Sequence, residues 1–202
     1  MVRTHVVTNV VPPPSDLNLL GCDQALGEAV ERWVSPDDPA GAATLSDLGA
    51  LAGTDEVRTW ADQADRVTPV LRTHAATGER LDEVEYHPSY HRLMEVAVGH
   101  GLTAEPWARP PGSGAHARRA AGFIVWSQVE AGHLCPVSMT YAAAPALAAE
   151  PSLADRWMPG LTSRAYDPVL APAATKAGLP VGMGMTEKQG GSDVRANTTR
   201  AV

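Results

Sequence analysis

Between Asp23 and Trp157 apolar residues recur at helical spacing, and each run is ended by a proline or a glycine. Such a pattern can bury its apolar stripes only as several short amphipathic helices packed on one another. Asp23 is placed to cap a helix running to about Trp33, with Leu26, Ala29 and Val30 on one face, before Ser35-Pro36 stop it. A linker of Asp, Pro, Ala and Gly follows. Leu45, Leu48 and Ala52, then Val57, Trp60, Ala61 and Ala64, predict two more helices parted by Gly53-Thr54, with Thr54 capping the second. Pro69 is expected to open one short helical turn, and the mixed charged segment Arg80 to Tyr86 reads as a loop. Pro88 suits the first turn of a helix carrying Tyr90, Leu93, Met94, Ala97 and Val98, which Gly99 and Gly101 end.

Thr103 to Gly114, holding Pro106, Pro110 and Pro111, predicts a long irregular loop of the kind that borders a site or an interface. From Ala115 to Leu134 the chain is helix-compatible throughout, with Ala117, Ala121, Ile124, Val125 and Gln128 on one face, and a central, deeply packed helix is expected. Pro136 opens the next helix, to about Ala149, where Pro145 should bend or divide it. Ser152 is placed to cap a last short helix through Trp157, with Pro159-Gly160 ending it. Ahead of all these, residues 1–20 read as an extended arm, because Pro12-Pro13-Pro14 cannot enter a helix interior. Such an arm must lie on something.

The formal net charge of −7 and the scattered cations argue against a surface that coats nucleic acid, so no direct nucleic-acid binding is expected. Cys22 and Cys135 are far apart and neither has a second cysteine nearby, which suggests neither a zinc ribbon nor a disulfide framework. The opening Val6-Val7-Thr8-Asn9-Val10-Val11 is too short and polar for a secretory signal, and no apolar run reaches the ~18 residues of a membrane span. A cytoplasmic protein without a membrane segment is expected.

Most of the chemistry is concentrated near the C-terminus, in Gly182-Met183-Gly184-Met185-Thr186-Glu187-Lys188-Gln189-Gly190-Gly191-Ser192-Asp193. Val181, Met183 and Met185 alternate as in a half-buried strand, and Asn197 to Val202 could return beside it as a second arm. Gly190-Gly191 mark a turn where backbone can approach a ligand closely; Thr186 and Ser192 add hydroxyls on either side. Gly182-Met183-Gly184 lacks the third glycine of a dinucleotide fingerprint, and no Gly-Lys-Ser/Thr end is present, so neither a Rossmann turn nor a P-loop is supported. By residue pattern alone, a glycine-rich hairpin turn is the favoured reading of the stretch, and a nucleotide site the weaker one.

Thr186-Glu187-x-x-Gly190-Gly191-Ser192-Asp193 resembles the Thr-Glu-Pro-x-x-Gly-Ser-Asp signature of the acyl-CoA dehydrogenase flavoproteins, and the longer string Gly182 to Asp193 is similar to their AidB-like, adaptive-response branch. Lys188 stands where the general family has proline, a departure that the AidB-like branch shares and that puts the ordinary fatty-acyl substrate in doubt. The resemblance implies a mainly α chain: an N-terminal helical domain over 21–178, followed at 179–202 by the first strands of a middle β-barrel domain, with a C-terminal helical bundle not reached. It implies FAD as cofactor, with Met185, Thr186, Gly191 and Ser192 as its binding residues, the threonine on the flavin ring and the serine on the pyrophosphate. It also implies a reaction in which a carboxylate removes an α-proton while hydride leaves the β-carbon for the flavin. That base lies beyond this chain, so no catalytic residue is expected here, and the chain alone should be inactive. Acyl-CoA, the C-terminal portion or a second copy are the partners implied, along with a link to alkylation damage. A non-catalytic helical module binding a partner chain stays open beside this reading.

Other constellations have plainer explanations. His87 and His91 are four apart, but Pro88 puts His87 ahead of the helix, and no metal is expected. His133 near Cys135 and the lone Glu130 are read as packing and ion-pair residues, and Trp107 and Trp126 as aromatic core.

Overall fold

A computed structural model describes residues 4–12, 14–34 and 38–200. Seven α-helices and one two-stranded sheet are formed among them. Helix α1 (Gln24–Trp33) begins where Asp23 accepts the Leu26 amide at 2.9 Å, and Val34 leaves it in extended conformation. The stop expected at Ser35-Pro36 lies outside the described residues. Helix α2 (Pro39–Ala52) starts earlier than its apolar stripe suggested, because Asp38 accepts the Gly41 amide and Pro39 suits the first turn. Most of the expected linker is therefore helix. Thr54 caps α3 (Asp55–Arg66) through the Val57 amide, as its position predicts.

The segment after α3 corrects two expectations. Pro69 opens no helical turn, and Arg80 to Tyr86 is no loop: β1 (Val70–His74) and β2 (Arg80–Glu85) pair antiparallel, Leu71 opposite Val84 and Val70 opposite Glu85. Every residue of both strands is exposed. Neither face is buried, so no apolar alternation was imposed on the sequence, and the ribbon is held by its ladder and by cross-strand pairs such as Arg72 with Glu85 at 2.6 Å.

Helix α4 (Pro88–Gly99) packs on α3 and buries Leu93, Met94, Ala97 and Val98. The connection Thr103 to Gly114 is not wholly irregular: a 3-10 turn, Glu105–Ala108, sits in it, and Thr103, Ala104, Glu105 and Pro106 are buried. Helix α5 (Ala115–Ser127) is shorter than expected, and its buried face is Ala121, Gly122, Val125 and Trp126, while Ile124 is half exposed. The break before α6 (Leu134–Leu147) has a local cause. The Glu130 carboxylate accepts the amides of Gly132 and His133, which holds the turn and so ends the helical ladder.

Pro145 does not divide α6, and α7 (Pro151–Leu161) runs through Pro159-Gly160. Its cap is Glu150 rather than Ser152. A proline in a helix withholds one donor from the carbonyl four residues back, here that of Tyr141. The indole of Trp107 donates to that carbonyl at 3.0 Å, so α6 passes its proline without an orphaned acceptor.

The main core joins α1 to α5 with the start of α6, around Leu48, Leu93, Val125 and Trp126. The arm lies on α2: the Asp16 amide donates to Gly53 and the Leu19 amide to Gly49, at 3.2 and 2.9 Å. A Cβ on Gly53 would stand 1.6 Å from the Leu17 carbonyl oxygen, so only glycine lets the arm approach so closely. A smaller core of Ala104, Ala143, Ala144 and Leu161 receives Leu179 and Val181 from the long connection after α7. No helix among the described residues is long and apolar enough to cross a membrane.

Candidate functional site

The run Val181 to Thr186 has no regular secondary structure and belongs to no ladder; an isolated bridge, Glu187 to Gly190, follows it. The expected strand, first of a barrel by resemblance, thus lacks partners among the described residues, and a strand without a neighbour leaves its amides to solvent or side chains. Its N-terminal end is anchored instead by α6. The buried Thr140 hydroxyl donates to the Pro136 carbonyl at 2.7 Å and accepts the Val181 amide at 2.9 Å. Leu179 donates its amide to Gly160 at 3.0 Å, so the chain enters the site from a groove between α6 and α7. An apolar cavity of about 440 Å³ lies there, lined by Leu147, Trp157, Leu161, Leu179 and Met183 among others.

The second arm expected at 197–202 forms no strand among its described residues, 197–200; positions 201–202 lie outside them, and 194–196 form a 3-10 turn. It returns all the same, through side chains. Asn197 Nδ2 donates to the Met185 carbonyl at 2.6 Å, and the Glu187 carboxylate accepts the amides of Thr198 at 2.9 Å and Thr199 at 2.6 Å. Hydrogen bonding from the Thr199 side chain and amide, then from the Thr198 amide, holds the Glu187 carboxyl below its ordinary range. Glu187 therefore organises the loop. Sequence reading gave it no role, because a carboxylate and amides eleven and twelve residues later form no recognisable spacing.

Of the expected site residues, Thr186 and Gly191 meet. A Cβ on Gly191 would stand 2.8 Å from Thr186 Cγ2 and 3.1 Å from its Oγ1, so the missing side chain lets the threonine lie against the turn. Ser192 follows directly, and Met185, 59% exposed, precedes the threonine. All four are on the surface. The turn is one tight Glu187-Lys188-Gln189-Gly190 reversal, with the Gly190 amide donating to the Glu187 carbonyl at 3.1 Å. Among the described residues the Ser192 hydroxyl and the Gly191 and Ser192 amides have no protein partner, and space is open beside Gly190. Unpaired donors at a glycine turn are the kind of group that an anion can use.

The model of the adaptive response protein AidB N-terminal domain matches residues 9–168. The chain belongs to this family. It is 42% identical over 200 residues to AidB of Escherichia coli (strain K12), provisionally named an acyl-CoA dehydrogenase, covering 98% of this chain and 36% of that protein. Solved structures agree with the helical AidB-type fold. Bd2924 in its apo form superposes with a TM-score of 0.77 at 29% identity, over 95% of this chain and 37% of that one. Caenorhabditis elegans ACDH-11, in complex with C11-CoA, gives 0.73 at 23% identity over 98% and 33%, a likeness of fold. The chain thus spans about a third of the length of these relatives, and its mainly helical architecture is that of the N-terminal domain of acyl-CoA dehydrogenases.

Within this AidB-type domain His87, His91 and His133 have structural partners. His87 caps α4 by accepting the Ser89 amide at 3.1 Å, and His91 bonds the Tyr166 hydroxyl at 2.8 Å. His133, fully buried, donates from Nδ1 to Glu130 at 2.7 Å and packs edge-on to Trp126. Burial lowers the His133 pKa more than Glu130 raises it, so the ring is neutral. Trp126 is core, as expected, whereas Trp107 is partly exposed and tied to Tyr141.

Proposed function

We propose that this chain is the N-terminal part of an FAD-dependent, AidB-like oxidoreductase acting on acyl-CoA, with Met185, Thr186, Gly191 and Ser192 contributing one wall of the flavin site. The observation that carries the reading is the contact of Thr186 with Gly191, which puts a hydroxyl and two unpaired amides on one exposed turn inside the family's signature. These groups fit the cofactor. Thr186 would hydrogen-bond the polar edge of the flavin ring, and the Ser192 hydroxyl and amide would take a pyrophosphate oxygen. When bound, FAD supplies a hydride acceptor, chemistry that no side chain has.

The chain's own residues position rather than react. Glu187 fixes the loop to Thr198 and Thr199, Thr140 tethers its entry, and the α6–α7 groove sets its direction. The domain ranges 21–178 and 179–202 are proposed as the helical domain and the start of a β domain, in a cytoplasmic protein serving the alkylation response of its family. In a protein extended to the length of its relatives, Ser192→Ala should weaken FAD binding by roughly 1 to 2 kcal/mol, the loss of a hydrogen bond to a charged group. Flavin titration followed by fluorescence quenching measures this, and unchanged affinity would remove Ser192 from the site.

A further inference from the structure

A cleft of about 650 Å³ shares no lining residue with the Gly182–Asp193 turn. It lies between the start of α2, the 109–114 segment, the start of α5, and Arg164. Glu105 is buried beside it, with a side chain 5% exposed. Three guanidinium groups converge on that one carboxylate: Arg109 and Arg164 on Oε1, the latter at 3.1 Å, and Arg118 on Oε2 at 3.2 Å. Arg118 also holds Asp38 at 2.8 Å.

A buried carboxylate is satisfied by one well-placed bidentate arginine. Three cations against Glu105 and Asp38 leave one positive charge in excess, in a chain whose formal net charge is −7. The excess is on the open side. Arg109 and Arg164 are partly exposed, each gives Glu105 one nitrogen, and neither has another protein acceptor among the described residues. Ser113 lines the same cleft, and α5 begins there at Gly114 with no side chain capping its first amides.

We propose that this cleft is an anion site for a phosphoryl group, held between the free donors of Arg109 and Arg164 with the Ser113 hydroxyl and the first amides of α5. The proposal is independent of the flavin reading. A carboxylate presents two oxygens in one plane, and Glu105 and Asp38 already fill that role on Arg118. The remaining donors come from two arginines, a hydroxyl and a helix end around a concave wall, which suits a tetrahedral dianion with three acceptor oxygens. A polyanion such as nucleic acid needs a stripe of cations along a surface, and here they are gathered in one pocket of an acidic chain.

The test is titration of the full chain with inorganic phosphate at constant ionic strength held with chloride, read by amide chemical shifts and by melting temperature. Saturable shifts confined to Ser113–Ala117 and the rim of Arg109 and Arg164 are expected, with a rise in melting temperature that chloride does not reproduce. Arg164→Gln and Arg109→Gln should each weaken binding at least tenfold and keep the helical circular dichroism, since Arg118 still pairs with Glu105. Ribose 5-phosphate distinguishes sources: tighter binding than phosphate assigns an ester whose organic part uses the rest of the cleft, and equal binding assigns the free ion. Should a variant misfold, the shift map of the unaltered chain decides alone. Shifts that are absent, spread over the molecule, or matched by chloride overturn the proposal.

Discussion

At the scale of single residues, a few side chains repair what the backbone leaves undone. Pro145 has no N–H for the Tyr141 carbonyl, and Trp107 supplies one. Trp107→Phe should therefore destabilise the fold by about 1 kcal/mol through the lost hydrogen bond. In a Pro145→Ala background the restored amide makes the indole redundant, so the same substitution should cost less; equal costs in a double-mutant cycle measured by urea unfolding would refute the account. Glu130 and His133 form a second repair, closing the turn between α5 and α6. Burial raises the Glu130 carboxyl, but hydrogen bonds from the His133 amide and ring and the Gly132 amide outweigh it and leave the pKa lowered. His133 is lowered by burial, as are His91 and His100, and its buried Nε2 has no partner to receive a second proton's hydrogen bond. In both groups the folded pKa lies below the unfolded one, so the unfolded chain binds more protons and stability falls as the pH falls. The loss should begin below 6.5, the ordinary histidine value, and continue below 4.5 as Glu130 titrates in the unfolded chain. Melting temperature should thus decline steadily from about pH 7 to about pH 4, and a flat profile between about pH 7 and 5 would rule out the neutral buried histidine.

At the scale of elements, the hairpin and the helices are stabilised differently. Helices α2 and α5 bury Leu45, Leu48, Val125 and Trp126 against each other, whereas β1 and β2 expose every residue. A two-stranded ribbon with no covered face is marginal in water, while core helices open only with the whole domain. Amide hydrogen exchange should therefore be fastest for the ladder amides of 70–85 and slowest for those of α5, by several orders of magnitude. Comparable protection would mean that the ribbon is covered in solution. The same exposure explains why the hairpin was hidden in the sequence: the charges of Arg72, Glu83 and Glu85 interrupt its apolar residues, and no buried face required otherwise.

At the scale of the whole molecule, the residues proposed for the flavin lie on one exposed turn and line none of the clefts described above. Tight cofactor sites bury most of their ligand. The purified 202-residue chain should accordingly show no flavin absorbance and no acyl-CoA oxidation with an artificial electron acceptor, and should gain both when the C-terminal portion of a relative is co-expressed. Stoichiometric flavin and turnover in the chain alone would overturn the view that the turn is only one wall. The AidB family match and the helical likeness to acyl-CoA dehydrogenases fix the domain type, and the chain matches about a third of the length of those relatives.

By itself the sequence determined the features that depend on neighbours along the chain. Asp23 and Thr54 cap α1 and α3 because their side chains reach amides three residues on, and the stripe from Leu93 to Val98 is buried because helical spacing puts it on one face. The signature from Thr186 to Asp193 was legible for the same reason, as a local string. Contacts between distant segments were decided only by the tertiary structure. These include Thr140 holding Val181, Glu187 gathering Thr198 and Thr199, and Arg118 and Arg164 meeting on Glu105. Each joins residues whose separation along the chain carries no periodic signal, so their meeting depends on how the helices pack, and packing is a property of the whole set of apolar faces at once.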